Sequence, residues 1–177
     1  ILHLWIFGEV TVASIQPFKG LIYSRKHISD TGRVITPPYD VINDEEQERL
    51  HSLNPFNIIR LEYGKTYASD NSADNRYVRA AQTLQRWIEL GVLQSDAVPA
   101  YYIYEQNFSY NHKPYRRRGF FAALKLEPYQ TGSVLPHELT MSGPKEDRFQ
   151  LLKSTRCNIS PIFTLYHDPN HQSAALF

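Results

Sequence analysis

Cysteine is nearly absent. Cys157 is the only one in 177 residues, so an internal disulfide is impossible and a reducing, cytoplasmic setting is the default expectation. Methionine is equally scarce, with Met141 alone, and position 1 is Ile. No apolar run approaches the ~20 residues that a membrane-spanning helix needs. The opening Ile1-Leu-His-Leu-Trp-Ile-Phe7 is too short for that, and it lacks the basic leader and small-residue cleavage site of a signal peptide. A charge excess is missing too: 19 basic and 18 acidic side chains leave a formal net charge of +1. That excludes bulk attraction to nucleic acid or an anionic membrane, though not a local patch. There is no internal repeat and no low-complexity tract. What is there, 42% apolar and 21% charged residues, has the balance of a globular domain.

The two ends carry expectations of their own. With no initial Met, residues 1–13 are expected to be a non-native or disordered extension, and 14–177 a single α+β domain. Ala174-Ala-Leu-Phe177 ends on an apolar run without a breaker, which predicts truncation at the C-terminal side. Between them, Val34-Ile35 is a strand candidate ended by Thr36-Pro37-Pro38. Asn43 followed by Glu46 forms a capping box for a helix over 44–53, stopped by Asn54-Pro55. Asn57 to Tyr63 alternates in part and predicts a strand, and 65–75 is a polar surface loop. Asn75 then caps the strongest helix, with Tyr77, Ala80, Ala81, Leu84, Trp87 and Ile88 at spacings of three and four and Gly91 as its stop. Residues 100–110 and 115–126 form a hairpin about Asn111-His112. A helix follows to about Thr155, and Ser160 to Tyr166 predicts a last strand. The class is α+β (mixed α/β), with a small mixed sheet, a long β-hairpin and three main helices.

The densest chemistry lies in Leu135-Pro-His-Glu-Leu-Thr-Met-Ser-Gly-Pro-Lys-Glu-Asp-Arg148. Ser142 or Gly143 can cap the helix that opens here, and Pro144 fits its first position, where no amide donor is needed. Phe149, Leu151 and Leu152 would mark its inner side. The free amides of a helix start attract anions. Lys145 and Arg148 are about 60° apart around the helix axis and can face one ligand. This predicts a phosphate or carboxylate site, with Thr140, Ser142, Gly143, Lys145 and Arg148 as ligand-binding residues and His137 and Glu138 arriving from the preceding loop. The competing account is an ordinary helix start, in which Glu146 and Asp147 serve the helix dipole and the cations face solvent. Asp40, on the proline-stiffened turn Pro37-Pro38-Tyr39, suits a general base or a metal–phosphate contact, or an aspartate that stabilises its own turn.

Other motifs carry less. Tyr115-Arg-Arg-Arg-Gly-Phe-Phe121 matches an RNA-recognition signature only at Arg118-Gly119-Phe120; Phe121 stands where a small residue belongs and Ala122 where an aromatic does. Nucleic acid is therefore not the expected partner, and no membrane is. No metal ligands are assigned: His137-Glu138 lacks a second His, since Met141 holds that place, and Pro169 breaks the helical spacing of His167 and His171. A nucleophile elbow and a Walker loop are both absent.

Several stretches taken in order point to one family: Gln16-Pro-Phe-Lys-Gly-Leu21, Thr36-Pro-Pro-Tyr-Asp-Val-Ile42, Asn54-Pro-Phe-Asn-Ile-Ile-Arg60, Tyr102-Ile-Tyr-Glu-Gln106, Arg117-Arg-Gly-Phe120, Leu135-Pro-His-Glu138, Gly143-Pro-Lys-Glu-Asp-Arg148 and Thr155-Arg-Cys-Asn-Ile-Ser-Pro-Ile-Phe163. The chain resembles the prokaryotic domain-of-unknown-function family 1015 from about Gln16 to Asp168. That resemblance implies a longer parent protein with a further C-terminal half and names no activity. A second resemblance, to the ParB/sulfiredoxin-like fold, implies nucleotide phosphates on the helix start near Gly143, Lys145 and Arg148, with Asp40 as the acidic turn residue. The expectation is a small-molecule enzyme that binds a phosphorylated ligand or nucleotide, a phosphotransferase or phosphatase. Its catalytic residues would be Asp40, His137 and Glu138, and Mg²⁺ with a nucleotide the cofactor set. The alternatives are a non-catalytic nucleotide-binding module and a protein-interaction domain.

Overall fold

The computed structural model describes residues 12–136, 141–170 and 172–176. Its contacts divide into two compact units. One, here the helical unit, comprises 21–95 with the described part of 140–165; the other, the hairpin unit, comprises the described parts of 1–20, 96–139 and 166–177. The class is mixed α+β with antiparallel pairing throughout the described strands.

In the helical unit, β2 (Leu21–Tyr23) pairs with β3 (Leu93–Ser95), Leu21 opposite Ser95 and Tyr23 opposite Leu93. Four helices accompany them: α1 (Asp44–Leu53), α2 (Ile59–Glu62), α3 (Arg76–Glu89) and α4 (Ser142–Thr155). α1 starts where it should. Asn43 Oδ1 accepts from the Glu46 amide at 2.8 Å, and Asp44, Glu45 and Glu46 sit in the first turn, where the helix dipole favours anions. Asn75 caps α3 by accepting from the amides of Tyr77 and Val78. The chain leaves that helix through Gly91 at φ +71°, a left-handed conformation that glycine adopts without a Cβ clash. Arg79 on α3 ties down the polar 65–75 loop, donating to Asp70, Asp74 and the Lys65 carbonyl and lying over the Tyr67 ring.

The core follows from the periodicity of α3, whose Ala80, Leu84 and Trp87 are buried. Trp87 and Leu84 pack with Ile28, Val34, Leu61, Val92 and Leu93. The Phe56 ring meets Trp87 edge-on at 5.9 Å, and the Tyr23 hydroxyl donates to the Phe56 carbonyl at 2.8 Å. A second cluster joins Ile42, Leu50 and Ile59 across α1 and α2.

Three expected strands are absent among the described residues, each for a physical reason. Val34-Ile35 is irregular: Val34 is fully buried, and its carbonyl accepts from the Ile58 amide rather than joining a ladder. Asn57–Tyr63 contains the short helix α2 instead of a strand. Fully buried Asn57 turns the chain there, its Oδ1 accepting from the Ile59 amide at 2.9 Å while its amide group donates to the carbonyls of Arg33 and Ile35 at 2.9 and 3.2 Å. Side-chain capping of this kind competes with strand pairing. Ser160–Tyr166 is irregular, with Ile162, Phe163 and Leu165 exposed, and no described strand pairs with it.

The hairpin unit is built on β4 (Tyr102–Tyr110) and β5 (Lys113–Phe121), which pair in register from Tyr102 opposite Phe121 to Tyr110 opposite Lys113. Asn111 and His112 both take positive φ, 48° and 60°, as a two-residue hairpin turn of matching twist requires. A second pair joins β1 (Ile15–Gln16) to β6 (Ala123–Leu124). Gly20 lets the chain pass close to Tyr102. Its amide donates to the Tyr102 hydroxyl at 2.6 Å, and a Cβ there would lie 2.9 Å from that phenol; the hydroxyl in turn reaches Asp96 at 2.6 Å.

Asn57→Ala should cost about 1–3 kcal/mol, because the buried Ile59 amide loses its acceptor and the part-buried bonds to the Arg33 and Ile35 carbonyls are lost with it; urea denaturation measures it. Acid stability has a second test in His51, whose Nε2 is buried without a partner. Burial, then the charges of Arg60 and Lys65, push its pKa down to about 4. The folded state thus resists protonation that the unfolded state accepts near the ordinary value of about 6.5. Stability is full above that value and falls as pH drops from about 6.5 towards 4. The Tm of His51→Gln should be flatter across this window than that of the parent.

Candidate functional site

α4 starts at Ser142, one or two residues before the expected position. Met141 precedes it without a side-chain cap, so Pro144 is the third helical residue. It fits there because the first four amides of a helix have no intrahelical acceptor. The inner side of α4 also differs from expectation: Leu151 is buried, but Phe149 and Leu152 are 55% and 42% exposed. A polar side chain, Arg148, turns inward.

Arg148 is the centre of a charged network in the helical unit. Its Nη1 donates to Glu62 Oε1 at 3.0 Å, its Nη2 to the Glu62 carbonyl at 2.9 Å and its Nε to Asp147 Oδ2 at 2.9 Å. The guanidinium carbon lies over the Tyr39 ring, 3.9 Å from its centre. Asp147 Oδ1 also accepts from the Tyr77 hydroxyl at 2.7 Å and pairs with Arg76. Arg76 in turn lies over the rings of Tyr63 and Tyr77, at 5.2 and 5.0 Å. Ser160 donates its hydroxyl to Glu62 Oε1. Glu62 is 7% exposed, and its Oε2 is buried without a partner.

Electrostatics follow from this geometry. Burial alone would raise the Asp147 carboxyl, but hydrogen bonds from Arg148 and Tyr77 and the charges of Arg148 and Arg76 outweigh it, holding the group below the usual carboxylate range. Burial would lower Arg76, yet Tyr77 and the Asp147 charge raise it above its ordinary value. Two guanidiniums face two carboxylates, so the network is internally neutral. A recess beside it, lined among others by Glu62, Tyr63, Arg76, Tyr77 and Arg148, has a free volume of about 10 Å³. That is the size of one water molecule and too small for a nucleotide.

The other candidate residues lie at the surface or outside the description. Ser142, Gly143 and Lys145 are exposed in the first turn of α4, which holds no acidic residue, and a Cβ on Gly143 would touch nothing within 4 Å. Asp40 is exposed in the 3-10 turn Tyr39–Val41. The two regions are linked, because Tyr39 carries Arg148 on its ring. His137, Glu138 and Thr140 lie outside the described residues. Sequence reasoning missed Glu62, Arg76, Tyr77 and Ser160. Glu62 falls in the segment expected as a strand, and no local pattern marks 59–62 as the helix that sets it beside α4. Among the described residues no group of three or more His, Cys, Asp or Glu side chains is arranged to hold a metal. Cys157 packs against the core, and burial pushes its thiol up.

Residues 15–177 match the family described as protein of unknown function (DUF1015). The chain belongs to this family. No curated protein and no solved structure matches it, and the likeness to the ParB/sulfiredoxin fold is not confirmed. In this DUF1015 chain the Asn54–Arg60 stretch serves the scaffold: Asn54 Oδ1 accepts from the Phe56 amide, and Arg60 donates to the carbonyls of Asn54 and His51. The Gly143–Arg148 stretch divides. Asp147 and Arg148 are committed to the network, while Gly143 and Lys145 face solvent. No helix among the described residues is long and apolar enough to cross a membrane.

Arg148→Ala strands Glu62 and half of the Asp147 pairing, so it should destabilise the fold by about 3–5 kcal/mol, the range for breaking a buried ion pair. Arg148→Lys should recover little, since one ammonium cannot span Glu62, Asp147 and the Tyr39 face together. Chemical denaturation of both variants checks the order.

Proposed function

We propose that this domain binds a small phosphorylated ligand at the start of α4 and transfers or hydrolyses its phosphoryl group. The observation that carries the reading is the seating of the Tyr39 ring under Arg148, which holds the Asp40 turn against the helix that bears Ser142, Gly143 and Lys145. Ser142 and Gly143 are exposed, Met141 offers them no side-chain cap, and the first turn holds no acidic residue. Lys145 there is unfavourable to the helix dipole and suits an anion. Arg148, spent on Glu62 and Asp147, is in this reading a positioning residue. Phosphate oxygens would rest on Lys145 and the amides of Ser142 and Gly143. Asp40 would take the proton of the attacking hydroxyl or water as its oxygen bonds to phosphorus and the bond to the leaving oxygen breaks. Where Mg²⁺ accompanies a nucleotide, Asp40 and the ligand's own phosphates are the groups suited to hold it.

A second reading, an interaction domain, is favoured by one observation: every side chain from Asn107 to Arg118 is exposed, on both faces of the hairpin.

Calorimetric titration of the full-length protein with inorganic phosphate and with ATP and Mg²⁺ tests the proposal. Lys145→Ala should weaken the ligand by about 10-fold or more, from the strength of a hydrogen bond to a charged group. Asp40→Asn should keep binding and lose at least about 100-fold in turnover. Retained binding with no turnover in the parent protein would leave a binding module; no saturable binding would leave the interaction domain.

A further inference from the structure

The register of the hairpin sorts its side chains in a way that the linear motif hides. Opposed residues share a face. With Tyr104 opposite Gly119, Gln106 opposite Arg117, Phe108 opposite Tyr115 and Tyr110 opposite Lys113, one face carries four rings and two cations. The rings are exposed: Tyr104 by 38%, Phe108 by 42%, Tyr110 by 63% and Tyr115 by 45%. They also form a platform. Phe108 stacks on Tyr115 at 5.7 Å with only 19° between the planes, Tyr110 meets Tyr115 edge-on at 6.4 Å, and the Arg117 guanidinium lies 6.0 Å from the Phe108 ring centre. Arg117 is also held by Gln106.

We propose that this face binds single-stranded nucleic acid, with unpaired bases stacked on the rings and phosphates on Lys113 and Arg117. An ordinary solvated strand face would be polar. An ordinary core face would be covered, and this one is exposed. Charge complementarity selects the occupant. The ring-bearing face holds Lys113 and Arg117 and no carboxylate, two positive charges in a chain whose total is +1; Arg116, Arg118 and Glu105 lie on the opposite face. A second copy of the same face would bring cation against cation, which opposes self-association. Aromatic faces serve any base, and cations serve any phosphate, so the site accepts RNA and DNA single strands alike. A duplex keeps its base faces stacked inside and cannot use the rings. Gly119 adds a structural observation: a Cβ there would meet nothing within 4 Å, so the face is open beside Tyr104, where a flat base fits.

The test is fluorescence anisotropy of the full-length protein with labelled 15-nucleotide oligouridylate, oligothymidylate and a duplex of the same length. Both single strands are expected to bind saturably and more tightly than the duplex. Affinity should fall with salt at a log–log slope of about 1–2, from two phosphate contacts at ~0.7 each. Phe108→Ala and Tyr115→Ala should each weaken binding by about 10-fold, and Arg117→Glu by more. Gly119→Val fills the open space with a strand-compatible side chain whose Cβ meets nothing within 4 Å, so its Tm should match the parent while affinity falls. The proposal is overturned by absent binding to single strands at low salt. It is equally overturned if the duplex binds as tightly, if Gly119→Val and the ring variants, with parental Tm, bind as the parent does, or if sedimentation shows a dimer that Phe108→Ala dissociates.

Discussion

The helical unit depends on one guanidinium. Arg148 lies against helix α2 through Glu62, against the proline turn through Tyr39, and against α3 through Asp147 and its partners Arg76 and Tyr77. The contacts to Glu62, Tyr39, Arg76 and Tyr77 join segments far apart in sequence, so the network closes long loops whose entropy the apolar clusters alone would have to offset. A buried charge cluster is tolerable only when every charge has a partner. Here the balance is nearly complete, with Glu62 Oε2 the exception. A single buried oxygen beside a water-sized recess is the kind of orphan that one bound water satisfies. The network is therefore best understood as a joint rather than a binding pocket. What it joins is the proline turn and the first turn of α4, where Asp40, Ser142, Gly143 and Lys145 are exposed.

Much of the fold was legible, and the part that was not has a common cause. Helix α1 is readable from its Asn43 capping box and Asn54-Pro55 stop, and α3 from its Asn75 cap, its apolar period and Gly91. The hairpin was readable because Asn111-His112 interrupts two aromatic runs. The misread segments, 34–35, 57–63 and 160–166, are short apolar stretches whose conformation is decided by distant partners. Asn57 shows how: its side chain is satisfied by the carbonyls of Arg33 and Ile35, more than twenty residues upstream, and no local pattern records that. Short apolar runs in general do not distinguish strand from helix.

The candidate site was half legible for a related reason. Lys145 and Arg148 stand about 60° apart by helix geometry, so a surface view treats them as equivalent. The fold separates them. Arg148 has a planar fork that can meet a carboxylate, a carbonyl and a ring together, and it is drawn inward; Lys145, a flexible point charge, remains in water. The apolar residues of α4 point the wrong way here: Phe149 and Leu152, expected on its inner side, are exposed, and Leu151 and Arg148 turn inward instead.

Net charge illustrates the same loss of information at the scale of the whole chain. A total of +1 reads as electrostatic indifference, yet it averages unlike parts. The hairpin segment carries a surplus of three positive charges, so the remainder of the chain is negative by two, and the ion pairs around Arg148 consume opposite charges without leaving a field. Attraction for a polyanion depends on the cations within about a Debye length of the contact, ~8–10 Å at physiological salt, and not on the sum over the protein. A balanced composition therefore argues only against binding by overall charge. A local surface in which cations alternate with exposed rings lies outside that argument, because stacking supplies a share of its affinity that net charge does not measure.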